Sequence, residues 1–376
     1  MKTIIVNGAN GYVASNFTNS LLKGKYKVIA LVRGSKKQPA EERLKNVLAN
    51  LNDGEKINSD NLKVYDYSLL DNDFAMDRNI LKNIFSGDVD YFHFAASLKY
   101  DEKSVDEIFA TNIEGVRNSI DVFLKYASKK SRFFYIGTAY SCGKYNEVFE
   151  EKFYKNEPIS SFRNYYELSK RYAENIVKSS IEENNLNGHV IRLSQVVGDH
   201  STGITKTDYG IFDFSKRVFN IASRYPNEVV RVHVDPDSTQ NLIPINTVVN
   251  CLIKTVKSVT VPTIINLVAK KSVRNEHIIN ILNEILPITL IPQKKLDGES
   301  MNSLERLISI GMSFTGSYTK TNLKFDTRQR DKIIQPAGDD QLKNENVFAM
   351  LKYFVESLSS GKRNGCRLEQ IASQYK

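Results

Sequence analysis

A doubly wound α/β fold built on a parallel sheet, followed by a smaller and mostly helical lobe, is what this sequence of 376 residues predicts. Three observations carry that prediction. Short apolar runs rich in Val, Ile, Phe and Tyr alternate with segments of helical periodicity through the first half. A glycine-rich turn joins the first run to the first helical segment, and the alternation stops after Arg192. Strands alternating with helices imply βαβ crossovers and therefore parallel pairing. Near-continuous apolar strands fit a sheet covered on both faces.

In chain order, strands are expected at Thr3–Val6, Val28–Val32, Leu62–Tyr65, Val89–Phe94, Phe133–Ile136 and Val190–Leu193. Helical spacing fills Val105–Tyr126 and Tyr166–Ile181. Asp199–Thr239 is rich in Gly, Asp, Thr and Ser, with one helix near Phe212–Ser223. Two sheet-like returns follow, at Asn241–Ile245 and Thr263–Leu267. From about Lys271 the chain reads as helices and loops, with Gly316–Lys324 either a short strand or an extended loop.

Composition narrows the class. With 41% hydrophobic and 25% charged residues, the chain can bury a core and disorder is not expected. The apolar run Ile4–Val6 is too short for a secretory signal, and His277–Pro292 is broken by Asn280, Asn283, Glu284 and Pro287, so no membrane span is expected. Cys142, Cys251 and Cys366 are far apart and suggest neither a disulfide framework nor a metal site, which favours a cytoplasmic location. Of the net charge of +9, +7 lies from Asn246 onward, which suits either a solvated surface or an acidic partner. No aromatic-basic repeat or zinc finger points to nucleic acid.

The first chemical motif is Gly8-Ala9-Asn10-Gly11-Tyr12-Val13-Ala14. A strand, a glycine turn and a helix start bring backbone N–H groups and a helix dipole to a pyrophosphate. Gly8 permits the tight turn, Gly11 the close approach of backbone to phosphate, and Ala14 close helix–strand packing. At the end of the second strand an acid would hold the ribose hydroxyls of NAD. Here stand Val32-Arg33-Gly34, with Lys36, Lys37 and Arg43 beyond. Arginine pairs with a 2′-phosphate, so NADP(H) is the expected cofactor. Asp66, after the third strand, is placed to meet the adenine, with Tyr67 beside it.

The second motif is Tyr166-Glu167-Leu168-Ser169-Lys170, which puts a phenol and an amine one helical turn apart. Hydride reduction of a carbonyl needs a proton donor, and a phenol serves near neutrality only when a cation lowers its pKa. Thr138, closing the fifth strand, can position the same carbonyl. His93 reads as a satisfied core residue, Cys142 as packing, and Glu150 with Glu151 as a solvated acidic pair.

These residues together resemble the extended short-chain dehydrogenase/reductases. More specific stretches are similar to the thioester-reductase branch, which includes fatty-acyl-CoA reductases and the reductase domains of carboxylic acid reductases. They are Leu31-Val32-Arg33 with Arg43-Leu44, Thr111-Asn112-Ile113-Glu114-Gly115, Gly137-Thr138-Ala139-Tyr140, Tyr166 through Glu174, and Ile191 through Asp199 followed by Thr202-Gly203. Asn241-Leu242-Ile243-Pro244-Ile245 and Asn266-Leu267-Val268 continue the likeness, which covers about the first 270 residues. The resemblance implies a Rossmann domain over residues 1–199 plus 240–270 and a substrate lobe over 200–239 plus 271–376. It implies Thr138, Tyr166 and Lys170 as catalytic residues. It implies Gly8, Asn10, Gly11, Tyr12, Val13, Arg33, Arg43, Asp66, Tyr67, Ala95, Ala96, Lys170, Leu193, Ser194 and Val196 as cofactor contacts. Leu193 replaces a usual proline and Gly137 a usual serine, departures expected to alter substrate shape.

The implied reaction is NADPH-dependent reduction of an acyl thioester to an aldehyde, with a second hydride giving an alcohol. The chain holds no adenylation or carrier domain, so the thioester is expected in trans, on CoA or on an acidic carrier protein. Lys270, Lys271, Arg274, Lys294 and Lys295 would form the docking patch. A nucleotide-sugar epimerase or dehydratase and a non-catalytic NADP-binding regulator are the alternatives. Arg33 argues against the first, and the intact Thr138, Tyr166 and Lys170 against the second.

Overall fold

The computed structural model describes residues 2–35, 38–55, 59–311, 315–334 and 342–361. Lys36, Lys37 and Cys366 lie outside the described residues. The chain forms two compact units: Met1–Ser194 with Val248–Leu267 and Phe325–Pro336, and Gln195–Thr247 with Val268–Lys324 and Ala337–Lys376.

The first unit is built on seven parallel strands: β1 (Thr3–Asn7), β2 (Lys27–Val32), β3 (Leu62–Asp66), β4 (Val89–His93), β5 (Arg132–Thr138), β6 (Gly188–Leu193) and β7 (Ile264–Leu267). Their order is β7-β6-β5-β4-β1-β2-β3, with every neighbour parallel. Strand order reverses beside β1, so the C-terminal ends of β1 and β4 open a crevice, the usual ligand position in such sheets. β1, β4, β5 and β6 are buried at every residue, as their apolar sequences require.

Helices flanking the sheet include α1 (Tyr12–Lys23), α2 (Ala40–Leu51), α3 (Arg78–Ile84), α4 (Val105–Phe109), α5 (Gly115–Tyr126) and α6 (Tyr165–Asn184). Leu81 and Ile84 of α3, Ile120 and Phe123 of α5, and Ala173 and Val177 of α6 share one core with Tyr91, Phe133 and Tyr135. On the opposite face Phe17 of α1 packs its ring 4.8 Å from that of Phe92. Side chains alternate across a strand, so Phe92 and its neighbours Tyr91 and His93 serve different faces.

The helix expected over Val105–Tyr126 is interrupted by a π-helical turn at Ala110–Glu114. Asn112 is buried inside it, and its Oδ1 accepts the Ser97 N–H at 2.7 Å. Its Nδ2 donates to the Ser97 carbonyl at 3.0 Å and the Ser169 hydroxyl at 2.9 Å. That asparagine joins the loop after β4 to α6, a long-range bond with no local signature.

The second unit mixes short strands and helices. Gln195–Val197 pairs in parallel with Leu242–Pro244, and Val229–Val232 with Thr289–Pro292. The return expected at Asn241–Ile245 therefore exists but does not join the main sheet, whereas that at Thr263–Leu267 becomes edge strand β7. Strands at Val273–Arg274, Thr289–Pro292 and Lys324–Phe325 interrupt a region read as helices and loops. Two to four residues are too few to show a period of two. The 3₁₀ turn Thr315–Ser317 precedes the last of these, where the reading had a strand or an extended loop. Helices Ile211–Ala222, Asn275–Ile285 and Asn344–Gly361 close a core of Phe212, Val218, Leu282, Leu351 and Phe354.

Candidate active site

The site is assembled at the C-terminal ends of β1, β2, β4, β5 and β6. Gly8 leaves β1 at φ +60°, where L side chains are strained, and a Cβ there would stand 3.0 Å from the Ala95 backbone. The chain turns with the Gly11 N–H bonded to the Gly8 carbonyl at 2.9 Å, and α1 starts at Tyr12. Gly11 is the N-cap and, having no side chain, supplies no side-chain cap to the first turn of α1. Tyr67 is buried, and burial pushes its phenol pKa well up and holds it protonated, opposed by a hydrogen bond to the Gly8 backbone and by the Arg33 charge. It supports the loop from below.

Asn7 fixes the other wall of this crevice. Its Oδ1 accepts the N–H groups of Phe94 and Ala95, at 2.7 and 3.0 Å. Its Nδ2 must then face Tyr91 Oη, at 3.0 Å, and His93 Nδ1, at 2.9 Å. The His93 proton therefore sits on Nε2. That nitrogen is buried and has no hydrogen-bond partner, so His93 is not the fully satisfied core residue its sequence context suggested. Burial and the Lys170 charge push its pKa down to about 3, so it stays neutral and is no base.

At the end of β2, Arg33 is exposed. Its carbonyl accepts from Arg43 Nη1, so Arg43 shapes the turn that presents Arg33. Asp66 Oδ1 accepts the Gly34 N–H at 2.7 Å, and a Cβ at Gly34 would lie 2.6 Å from Asp66 Oδ2. Asp66 is thus engaged in fixing the Arg33–Gly34 turn.

Thr138 ends β5, buried, with its hydroxyl on the Leu193 carbonyl at 3.2 Å and the Tyr140 N–H on its oxygen at 3.3 Å. Helix α6 is capped by Asn164, whose side chain accepts the Glu167 N–H at 3.0 Å. Tyr166 in its first turn is half-buried, and Lys170 one turn on is buried. Lys170 Nζ stands 6.0 Å from the Tyr166 ring centre and 5.0 Å from that of Tyr135, and donates to the Ile136 carbonyl at 3.3 Å. Burial lowers the Lys170 pKa to about 8, opposed by the charge of Glu174.

Glu174 itself is locked by Arg192, whose Nη2 lies 2.8 Å from Oε2. Both are buried, a charged pair with no sequence signature. Gly137 faces this network: a Cβ there would meet the Tyr135 ring at 3.2 Å and Glu174 Oε1 at 3.4 Å. Its departure from serine therefore concerns the packing behind Lys170 and not substrate shape. Leu193 ends β6 and Ser194 follows it, both buried, and the Ser194 hydroxyl has no partner. Ala95 and Ala96 are half-buried after β4, and Val196 belongs to the second unit.

Two further expectations change. Glu151 is no solvated acid: it accepts the backbone N–H of Asn266 at 2.9 Å, of Arg330 at 3.0 Å and of Gln329, binding the return segment Phe325–Pro336 to the first unit. The basic patch is not a bare positive surface either. Lys294 lies 2.6 Å from Asp237 and 3.5 Å from Asp235, and Arg274 lies 2.6 Å from Asp237 and 3.2 Å from Glu276. Cys142 packs as expected, buried, with burial pushing its thiol up to about 12.

A model of an NAD-binding family described as male sterility protein matches residues 6–252. No curated protein matches the chain in sequence. Among solved structures, the terminal R domain from the myxalamid PKS-NRPS biosynthetic pathway superposes with a TM-score of 0.78 at 16% identity, over 95% of this chain and 91% of that one. A thiolation-reductase di-domain from an archaeal non-ribosomal peptide synthetase gives 0.72 at 16% identity, over 94% and 75%. UDP-glucuronic acid 4-epimerase from Bacillus cereus, in complex with NAD, gives 0.65 at 15% identity, over 96% and 99%. At these identities the likenesses establish the fold, an extended Rossmann architecture common to reductase domains and epimerases. Among the described residues no helix is long and apolar enough to cross a membrane.

Proposed function

Because the chain belongs to the NAD-binding family described as male sterility protein, we propose that it reduces an acyl thioester to an aldehyde with NADPH. The observation that carries this reading is the Tyr166–Lys170 pair on α6 with Thr138 at the end of β5, on the same sheet as a nucleotide crevice where Arg33 follows β2. The residues present fit the dinucleotide. The α1 N-terminus has no side-chain cap, Gly8 leaves no room for a Cβ, and the buried Ser194 hydroxyl has no partner in the protein. Gly8, Asn10, Gly11, Tyr12 and Val13 would hold the pyrophosphate and Arg33 a 2′-phosphate. Ala95, Ala96, Leu193 and Ser194 would line its length, and Lys170 would meet the nicotinamide ribose. Bound NADPH supplies a hydride to the thioester carbonyl carbon.

Tyr166 donates its proton to the carbonyl oxygen as that oxygen becomes negative. Lys170, charged below its pKa of about 8, stabilises the phenolate left behind. Thr138 turns its hydroxyl from Leu193 to the same oxygen and acts as an oxyanion donor. The resulting thiohemiacetal releases thiol and leaves the aldehyde.

A nucleotide-sugar epimerase is the second reading, favoured by the epimerase fold likeness and opposed by Arg33 where an acid would bind NAD. NADPH oxidation against acyl-CoA thioesters, acyl-carrier thioesters, nucleotide-sugars and free aldehydes separates the two. A rate confined to thioesters supports the reductase, and turnover of a nucleotide-sugar alone refutes it. A regulator that binds NADP without catalysis would oxidise NADPH with none of them.

A further inference from the structure

Helix α6 carries a second row of side chains besides Tyr166 and Lys170. Glu167, Arg171 and Glu174 recur at spacings of four and three residues, which places them on one face. All three are buried. Buried charges are unfavourable unless paired and hydrogen-bonded, so a row of them needs a task.

The row acts on the turn Ala139–Cys142, which follows Thr138. Arg171 Nη2 donates to the Ser141 carbonyl at 2.6 Å, and the Ser141 hydroxyl donates to Glu174 Oε1 at 2.8 Å. Arg163, paired with Glu167 at 3.2 Å, donates to the Gly143 carbonyl at 2.6 Å. The Arg171 guanidinium is itself held between the rings of Phe149, Tyr154 and Phe162, 5.3–5.7 Å from their centres. Within the clamped turn, the Tyr140 N–H is the group that holds the Thr138 oxygen. A connected path therefore runs from α6 through Ser141 to Thr138.

We propose that Ser141 is a positioning residue for Thr138, gripped at its carbonyl by Arg171 and at its hydroxyl by Glu174. One helix then sets both the phenol and the hydroxyl that meet the substrate oxygen. The inference rests on the proposed reaction for its catalytic consequence, but the clamp itself exists without substrate. Productive O–H···O contacts occupy a narrow range, and a displacement of about 1 Å lowers rate by about 10²-fold.

Two measurements test it. In the ligand-free protein, Ser141→Ala should speed hydrogen exchange at the Tyr140 amide by about tenfold and leave the β5 amides protected. Unchanged exchange at Tyr140 overturns the clamp whatever the reaction is. In the thioester assay, Ser141→Ala and Arg171→Met should each lower kcat by about 10–10²-fold with NADPH affinity retained. In a Thr138→Val background the same changes should lower it by less than about twofold more. Losses that multiply fully in both backgrounds show a merely structural residue and overturn the proposal. Should Arg171→Met fail to fold, Ser141→Ala alone completes the cycle. A wild-type protein inactive on thioesters defeats the proposed function and leaves the exchange result to decide the clamp.

Discussion

Thr138 gives the only proton of its hydroxyl to the carbonyl of Leu193, 3.2 Å away across β5 and β6. A hydroxyl has one donor, so Thr138 cannot hold Leu193 and a substrate oxygen together. Removing one oxyanion donor typically lowers kcat by about 10²–10³-fold. Thr138→Val should fall in that range with NADPH affinity intact, while Thr138→Ser keeps most activity. Steady-state rates and a fluorescence titration of NADPH read both. A Thr138→Val enzyme as fast as wild type would show that the hydroxyl stays on Leu193 throughout.

Lys170 makes the reaction pH-dependent. Its ammonium loses a proton at about 8, so reductive turnover should decline as pH rises through that value. Stability follows the opposite course. Between about 8 and the ordinary lysine range the unfolded chain binds the proton that the folded chain has released, so unfolding becomes less favourable as pH increases. Lys170→Met should remove that pH-dependent component from denaturant melts. A variant whose stability keeps the wild-type pH slope from 8 to 10 would contradict the assignment.

Arg33 should decide cofactor choice. A charge-assisted contact contributes about 1.5–3 kcal/mol, so Arg33→Ala should weaken NADPH by about tenfold or more and leave NADH nearly unchanged. Equal affinity of the wild type for the two cofactors would remove the argument for NADP.

Arg192 should be a stability residue. Fully buried, it binds Glu174, the Glu150 and Lys152 carbonyls and Asn266 Oδ1. Arg192→Leu leaves the Glu174 carboxylate buried without its cation, which costs about 3–5 kcal/mol. Urea unfolding measures this, and a loss below about 1 kcal/mol would contradict the assignment.

What the sequence disclosed was local. The glycine loop and Tyr166 with Lys170 rest on spacings within a few residues, and β1 to β6 lie where apolar runs put them. Hidden were bonds between distant segments. Asn112 meets Ser169, Glu151 meets Gln329, Asp66 meets Gly34, and Glu174 meets Arg192. Nothing beside Glu151 distinguishes a carboxylate that gathers three backbone N–H groups from a solvated one. The acidic neighbours of the basic patch were hidden for the same reason. Asp235 and Asp237 lie before Asn246, outside the stretch that carries the positive excess; Asp237 pairs with Lys294 and Arg274, and Asp235 with Lys294.

The most direct test is thiol release from an acyl-CoA or acyl-carrier thioester, followed together with NADPH oxidation in wild type and Tyr166→Phe. The wild type should release thiol only when NADPH is consumed, at one thiol per NADPH when the product is the aldehyde. Tyr166→Phe should bind NADPH normally and lose about 10²–10⁴-fold in rate, because only the proton donor is gone. Wild-type protein that leaves every thioester intact, or a Tyr166→Phe enzyme running at the wild-type rate, would contradict the account.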